Sequence, residues 1–289
     1  VAGNERFLIG PLGYLQPLPS PFASKGVTTP VMRLGGTRQS ATGHSSLSVG
    51  GFKREWEFDY PVLSIQETNK LRALWHWTQP RPLRFVDPFT SNRLSADVST
   101  GGGISRTTAA FIRTGGDLAR IDIVSPALPS PVGSYLDSAI QWTVPNLTSG
   151  ILLFDDFLTK YIPLRDLRPL TLKMQVNGTG SVQALIRPRN LAGVVQADIL
   201  GLSTVLDPAL WKTIEVTYTP LAGHVSCVAG LALSSAAGIR TPLVTAIKLS
   251  ELGDDWSIGE GIGSILVSNF ESRYLSLHNY DVRFSIQEV

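Results

Sequence analysis

Two pairs of neighbouring carboxylates are the first residues whose type and spacing could do chemistry: Asp155 with Asp156 in LFDDFL, and Asp254 with Asp255 in LGDDWSIGEG, where Glu260 lies close by. A calcium site and a glycosidase acid pair are the two chemistries such clusters suggest. Calcium asks for about six to eight oxygens, and neither run has the alternating Asp/Asn order of a known calcium loop. A glycosidase needs two acids facing each other at roughly 5 to 9 Å, a separation set by the fold and not by adjacency in the chain. Both pairs therefore read as structural turns. The run TGGGIS, Thr100 to Ser105, is glycine-rich enough to suggest a phosphate cradle. No Lys-Ser/Thr follows it and no strand-to-helix context surrounds it, so it reads as a flexible hairpin loop. His44, His76, His224 and His278 show neither i, i+4 pairing nor a neighbouring cysteine, so no metal-ligand spacing is present. With no Gly-x-Ser-x-Gly elbow either, the chain reads as a non-enzyme with no catalytic residue, metal or cofactor.

Aromatic side chains offer a different chemistry, stacking against sugar rings. Trp142, Tyr161, Trp211, Tyr218, Trp256, Tyr274 and Tyr280 are the candidates, and core packing explains most of them equally well. Trp256, between Asp255 and the glycine-rich run SIGEGIG, is the one singled out for contact with a glycan.

The elements that must position these residues are mainly strands. From Phe52 to Tyr60 the even positions carry Phe52, Arg54, Trp56, Phe58 and Tyr60 and the odd ones Lys53, Glu55, Glu57 and Asp59, the period-two pattern of a strand with one packed and one wet face. Ser64 followed by Glu67 forms a capping box, so a helix starts near Ile65, with Leu71, Leu74 and Trp75 as its packed stripe and Pro80 and Pro82 beyond its end. Further strands are expected at Val31–Leu34, Leu83–Asp87, Arg93–Ser99, Thr107–Arg113, Ala119–Val124, Ala139–Val144, Leu170–Val176, Ser181–Arg187, Thr213–Tyr218, Val225–Leu233, Val244–Leu249, Ser264–Val267 and Val282–Gln287. The segment Leu206–Lys212 could form one helical turn. Short strands at this density, separated by Gly and Pro turns, indicate a β-sandwich.

At 289 residues the chain is expected to hold about two domains, and 43% hydrophobic content is enough for a core in each. The run SPALPSPVGS, Ser125 to Ser134, has three prolines and reads as the linker, giving domains at 1–128 and 129–289. Charge divides unevenly at this point: 14 Lys and Arg against 9 Asp and Glu before it, a balance of +5, and 11 against 14 after it, a balance of −3. The basic residues are spread among acids, so they read as a rim that pairs with a neighbouring chain and not as a nucleic-acid patch. The single cysteine, Cys227, excludes a disulfide framework and, in VSCVAGLAL, reads as a buried structural thiol. No stretch reads as a signal peptide, and no apolar run reaches the ~18 residues of a membrane span.

The run RFLIGPLGYLQPLPSP, the FKREWEFDYPVLS strand with the helix ending LRALWHWTQPRPLRFVDP, and the closing DDWSIGEGIGSILVSNFESRYLSLHNYDVRFSIQEV together resemble distal tail or minor tail proteins of long-tailed, siphovirus-type phages of Gram-positive, especially actinobacterial, hosts. The resemblance implies an N-terminal tail-tube-like β-barrel with one flanking helix and a C-terminal jelly-roll β-sandwich similar to a carbohydrate-binding module. It also implies a homo-hexameric ring at the tail tip or baseplate of the virion, assembled in the host cytoplasm. That ring would join the tail tube protein above to hub or receptor-binding proteins below, with genomic DNA only in transit through its lumen and no membrane insertion. Arg81 and Arg84, where the chain leaves the helix, are the candidates for contact between subunits. The alternative is an adhesion protein of the tail tip whose outer domain grips host cell-wall glycans.

Overall fold

A computed structural model describes residues 7–19, 27–29, 31–39, 45–78, 82–104, 106–114, 120–132, 136–145, 150–157, 160–165, 168–234, 240–251, 255–261 and 264–289. Two compact units emerge: Val1–Pro88 together with Gly263–Val289, and Phe89–Ile262. The first holds β1 (Leu8–Gly10), β2 (Gln16–Pro17), β3 (Val27–Thr28), β4 (Val31–Gln39), β5 (Ser45–Ser64), α1 (Ile65–Trp75) and β6 (Leu83–Val86). The second runs through α2 (Ala96–Ser99), β7 (Phe111–Thr114), β8 (Arg120–Val124), β9 (Ala139–Thr143), β10 (Ile151–Phe154), β11 (Ile162–Pro163) and β12 (Leu170–Asn177). It continues with β13 (Ser181–Asn190), β14 (Ile199–Leu200), β15 (Thr204–Val205), β16 (Lys212–Tyr218), β17 (His224–Leu233) and β18 (Leu243–Ser250). The chain then returns to the first unit in β19 (Ser264–Ser276) and β20 (Asn279–Glu288). The protein is mainly β, as expected.

This division corrects the boundary placed at Leu128. The proline-rich run lies between β8 and β9, which pair antiparallel from Arg120↔Thr143 to Val124↔Ala139 in a single sheet. It is a connection inside the sandwich, not a linker between domains. The last two strands, assigned to the second domain by their place in the chain, complete the first unit: β20 pairs with β5 and β19 with β6.

In the first unit the sheet runs β2-β1-β6-β19-β20-β5-β3, with β4 also on β5. Among the described residues this ladder is open, and no pairing closes it into the expected barrel. The period-two reading of β5 holds: Trp56, Phe58 and Tyr60 are buried, while Glu57 is exposed. Phe58 stacks on Phe284 at 5.0 Å and meets Phe7 edge-on at 5.4 Å, so the packed face is an aromatic layer shared by both ends of the chain. Arg54 belongs to the same face, its guanidinium 4.9 Å from the Trp56 ring centre. The capping box forms as expected. The Ser64 hydroxyl accepts from the Glu67 backbone N–H at 3.3 Å, and the Glu67 carboxylate accepts from the Ser64 N–H at 3.0 Å. The helix stripe is shifted by one turn, however: Thr68 and Leu71 are buried, Leu74 is half-buried, and Trp75 is 44% exposed, lying over Phe270 at 5.7 Å.

The second unit is a sandwich of a seven-stranded sheet, with main path β14-β13-β17-β10-β7, and a five-stranded sheet ordered β16-β12-β18-β9-β8. Leu172, Met174, Val176, Trp142 and Ile247 from the smaller sheet meet Ala184, Ile186, Ala229 and Leu231 from the larger in one core. Cys227 is buried in that core, and burial pushes its thiol up to about 12, so it stays protonated and inert. The segment Arg93–Ser99, expected as a strand, instead forms the short helix α2, because the Ser95 hydroxyl caps the Val98 N–H at 3.3 Å. Gly101 and Gly102 follow it with φ of +64° and +81°, and both are buried, so this part of the run TGGGIS closes a helix and is not an exposed hairpin loop. Leu206–Lys212 gives a turn bridged from Asp207 to Leu210 in place of a helix.

The fragment Phe89–Ile262 is expected to melt in one cooperative transition. The fragment Ser134–Val289 lacks α2, β7 and β8 and carries the β19–β20 pair without the β5 and β6 strands that flank it, and is expected to be insoluble or to melt without cooperativity. Differential scanning calorimetry of both checks this.

Candidate functional site

The outer face of the five-stranded sheet is polar because β12 and β16 alternate strictly. Along β12, Leu170, Leu172, Met174 and Val176 are buried while Thr171, Lys173 and Gln175 point away from the core. Across the strand pair, Gln175 Nε2 donates to Thr213 Oγ1 at 3.0 Å and the Thr171 and Thr217 hydroxyls lie 2.9 Å apart. On the other side β18 shifts register, so that Lys173 faces Lys248 but Gln175 faces Thr245. The bulge centres on Ala246, whose φ is +50°, a left-handed conformation that a residue with a Cβ rarely adopts. Bulges of this kind re-aim side chains beside functional sites.

Here the bulge opens a cleft of about 220 Å³, lined by Val132, Lys173, Gln175, Thr213, Ala246, Lys248, Asp255 and Trp256. Sites that enclose a whole small ligand run to roughly 300–1,000 Å³, so this volume suits one unit of a chain lying across the surface. Trp256 lines the cleft and is half-buried. Lys248 Nζ donates to the Asp255 carbonyl, which ties the wall to the floor.

Asn92 positions this wall. Its side chain is fully buried, and Nδ2 donates to the Ile247 carbonyl at 3.0 Å and to the Ser257 carbonyl at 2.8 Å. Its Oδ1 accepts from Leu94 N–H at 3.2 Å and Leu249 N–H at 3.1 Å. One carboxamide thus joins the bulged strand to the residue after Trp256. Gly259 sits so close behind it that a Cβ would stand 2.3 Å from the Leu94 carbonyl oxygen, and its N–H donates to Ser99 Oγ at 2.7 Å.

Of the residues selected from sequence, Trp256 is therefore at a cleft. Arg81 lies outside the described residues. Arg84 is 0% exposed in a strand buried on both faces, and burial lowers its guanidinium to about 10. A side chain inside the unit offers nothing to a neighbouring subunit, so Arg84 is corrected from an interface candidate to a structural residue. Asp155 has φ +50° at a tight turn, with its carboxyl pushed up by burial, and Asp156 pairs with Arg189 at 2.8 Å. Asp254 is outside the described residues, Asp255 is exposed, and Glu260 accepts from Ser91 Oγ at 3.3 Å. Trp142 and Tyr218 are core residues, whereas Tyr274 and Tyr280 meet edge-on at 5.4 Å in the other unit.

No family model matches this sequence, and no curated protein matches it. Among solved structures, the enzymatically active domain of bacteriophage CBA120 tailspike protein 4 is similar over 57% of this chain and 22% of its own, at 16% identity and a TM-score of 0.44. The CBM22-2 xylan-binding domain of Paenibacillus barcinonensis Xyn10C is similar over 57% of this chain and 99% of its own, at 11% identity and a TM-score of 0.39. The family 11 carbohydrate-binding module of Clostridium thermocellum cellulase Lic26A-Cel5E is similar over 50% of this chain and 88% of its own, at 15% identity and a TM-score of 0.33.

Replacing Asn92 by Ala strands two carbonyls and two N–H groups around one buried point, at roughly 1–3 kcal/mol for each group left unsatisfied. The expected outcome is a loss of about 3 kcal/mol or more in a urea titration, with a change in the near-ultraviolet signal of the Trp256 segment. Arg84→Glu is expected to destabilise the isolated chain by about 3 kcal/mol or more, because it places a carboxylate where a fully buried guanidinium now sits. The same titration reads it.

Proposed function

We propose that the protein is a non-enzymatic tail-tip component whose sandwich grips a cell-surface glycan across the outer face of its five-stranded sheet. The observation that carries this reading is the cleft: a half-buried indole, Trp256, beside a floor of Gln175, Thr213, Lys173 and Lys248. An aromatic face supplies stacking area for a sugar ring, while amide, hydroxyl and ammonium groups match its hydroxyls. The placement on a virion rests on the resemblance of both chain ends to phage tail proteins.

A second reading, compatible with the first, concerns the unit built from both chain ends. We infer that it assembles into a closed ring, of six by that resemblance, with the tube protein on one side and tip proteins on the other. One observation favours it. β4 pairs with β5 from Val31↔Arg54 to Gln39↔Ser45, and among the described residues no other strand pairs with β4. A two-stranded ribbon is marginal in water by itself, and an unpaired edge invites another chain. Cyclic assembly would cover that edge.

Purified host cell wall should retain the wild-type chain and release it on addition of soluble wall fragments. Trp256→Ala is expected to weaken retention about tenfold or more, equivalent to ~1.4 kcal/mol, in protein whose far-ultraviolet circular dichroism shows it to be folded. Equal retention of both proteins would refute the glycan reading. For the ring, mass measurement with the tube partner present should give a hexamer; a strict monomer in every condition would refute it.

A further inference from the structure

Resting on the glycan reading above, we infer that the cleft is built for an acidic sugar unit, one bearing a carboxylate or a phosphodiester. Lys173 and Lys248 are directly opposed across β12 and β18, on the outer face, and both line the cleft. Like charges directly opposite in a sheet destabilise it, and local rules of this kind are broken where a site needs them broken. Burial aggravates the conflict: Lys248 is 7% exposed and Lys173 half-buried.

The groups that could relieve the repulsion do not take up Lys173. Glu215 faces it from β16 in the register, yet no ion pair forms between them. Among the described residues nothing bonds to the Lys173 ammonium, although Thr171 and Gln175 on either side of it are both engaged with β16. Lys248 Nζ donates to the Asp255 carbonyl, which fixes its position at the cleft. Asp255 itself is exposed at the cleft, where its carboxylate would accept from sugar hydroxyls. The bulge at Ala246 sets Lys248 opposite Lys173 and at the same time opens the space beside them. An anionic group held between the two ammonium ions would make charge-assisted hydrogen bonds with both, while the ring of the same unit lies against Trp256.

The experiment is calorimetric titration of the full chain with three probes of similar length: tetragalacturonic acid, neutral (1→4)-linked galactotetraose, and short poly(glycerol phosphate). At low salt at least one acidic probe is expected to bind about tenfold tighter than the neutral one. That preference should shrink in about 0.3 M salt, where the screening length is short. Tighter uronate binding identifies a carboxylate ligand, and tighter glycerol phosphate binding a phosphodiester. Lys173→Gln is expected to remove the preference for the acidic probes, with the melting temperature unchanged or raised, since it relieves repulsion. Neutral binding that is lost in Trp256→Ala but indifferent to charge would overturn the acidic assignment and leave the glycan reading standing. A preference that survives Lys173→Gln would overturn it too. Absence of binding by all three probes would overturn both readings.

Discussion

The hydrogen bonds of the Asn92 carboxamide are the constraint on which the cleft depends. Two acceptors, the carbonyls of Ile247 and Ser257, and two donors, the N–H groups of Leu94 and Leu249, converge on one buried side chain. No aliphatic residue of similar size could satisfy them, and water has no access to replace it. The backbone of the same residue accepts from the Glu260 N–H at 3.0 Å, and Leu94 accepts from Gly261 at 2.8 Å. Asn92 therefore fastens the beginning of the inserted unit to its end, and the wall that carries Trp256 is part of what is fastened.

A second fixed point in the same unit is ionic. Glu251, next after β18, pairs with Arg93 at 2.7 Å and with Arg165 at 3.2 Å, the three side chains being at most 7% exposed. Desolvation lowers the Arg93 guanidinium while Glu251 opposes that shift. A buried pair of this kind adds little net stability over an apolar replacement, but loss of one partner leaves an isolated charge inside. Its effect is to specify: Arg93 adjoins Asn92, so the triad fixes the residue that positions the cleft.

Much of the fold was legible because it follows local rules. Period-two alternation announced β5, and the Ser64–Glu67 pair announced α1, since both signals involve residues within one element. The misread boundary has a physical origin: proline marks a turn equally well inside a sheet and between domains, and pairing is not local. Glu55 and Gln287 bond at 3.0 Å across 232 positions, and only the shared alternation of FKREWEFDY and DVRFSIQEV hinted that the ends belong together. Arg84 was misread because charge usually means exposure. At the cleft Trp256 was visible by type, but its companions come from β12, β16 and β18. The bulge that gathers them rests on Ala246 at φ +50°, a residue with no local signal for that conformation, unlike glycine or asparagine.

The two units also differ in how they can form. The sandwich takes its whole core from one continuous stretch, Phe89–Ile262. The other unit needs its two chain ends to meet, with Leu83 against Ile265 and Arg84 against Ser264. As an unfolded loop the intervening stretch opposes that meeting, and the opposition grows by about 0.6 kcal/mol for each doubling of length. Once the sandwich is folded, Asn92 and Leu94 hold Glu260 and Gly261 beside them, and the effective loop shrinks to the few residues at either side. The closure that β6 and β19 require is then largely made in advance. The backbone bonds of Asn92 and Leu94, beside the carboxamide that shapes the cleft, thus also lower the entropic barrier to completing the aromatic sheet from the two ends of the chain.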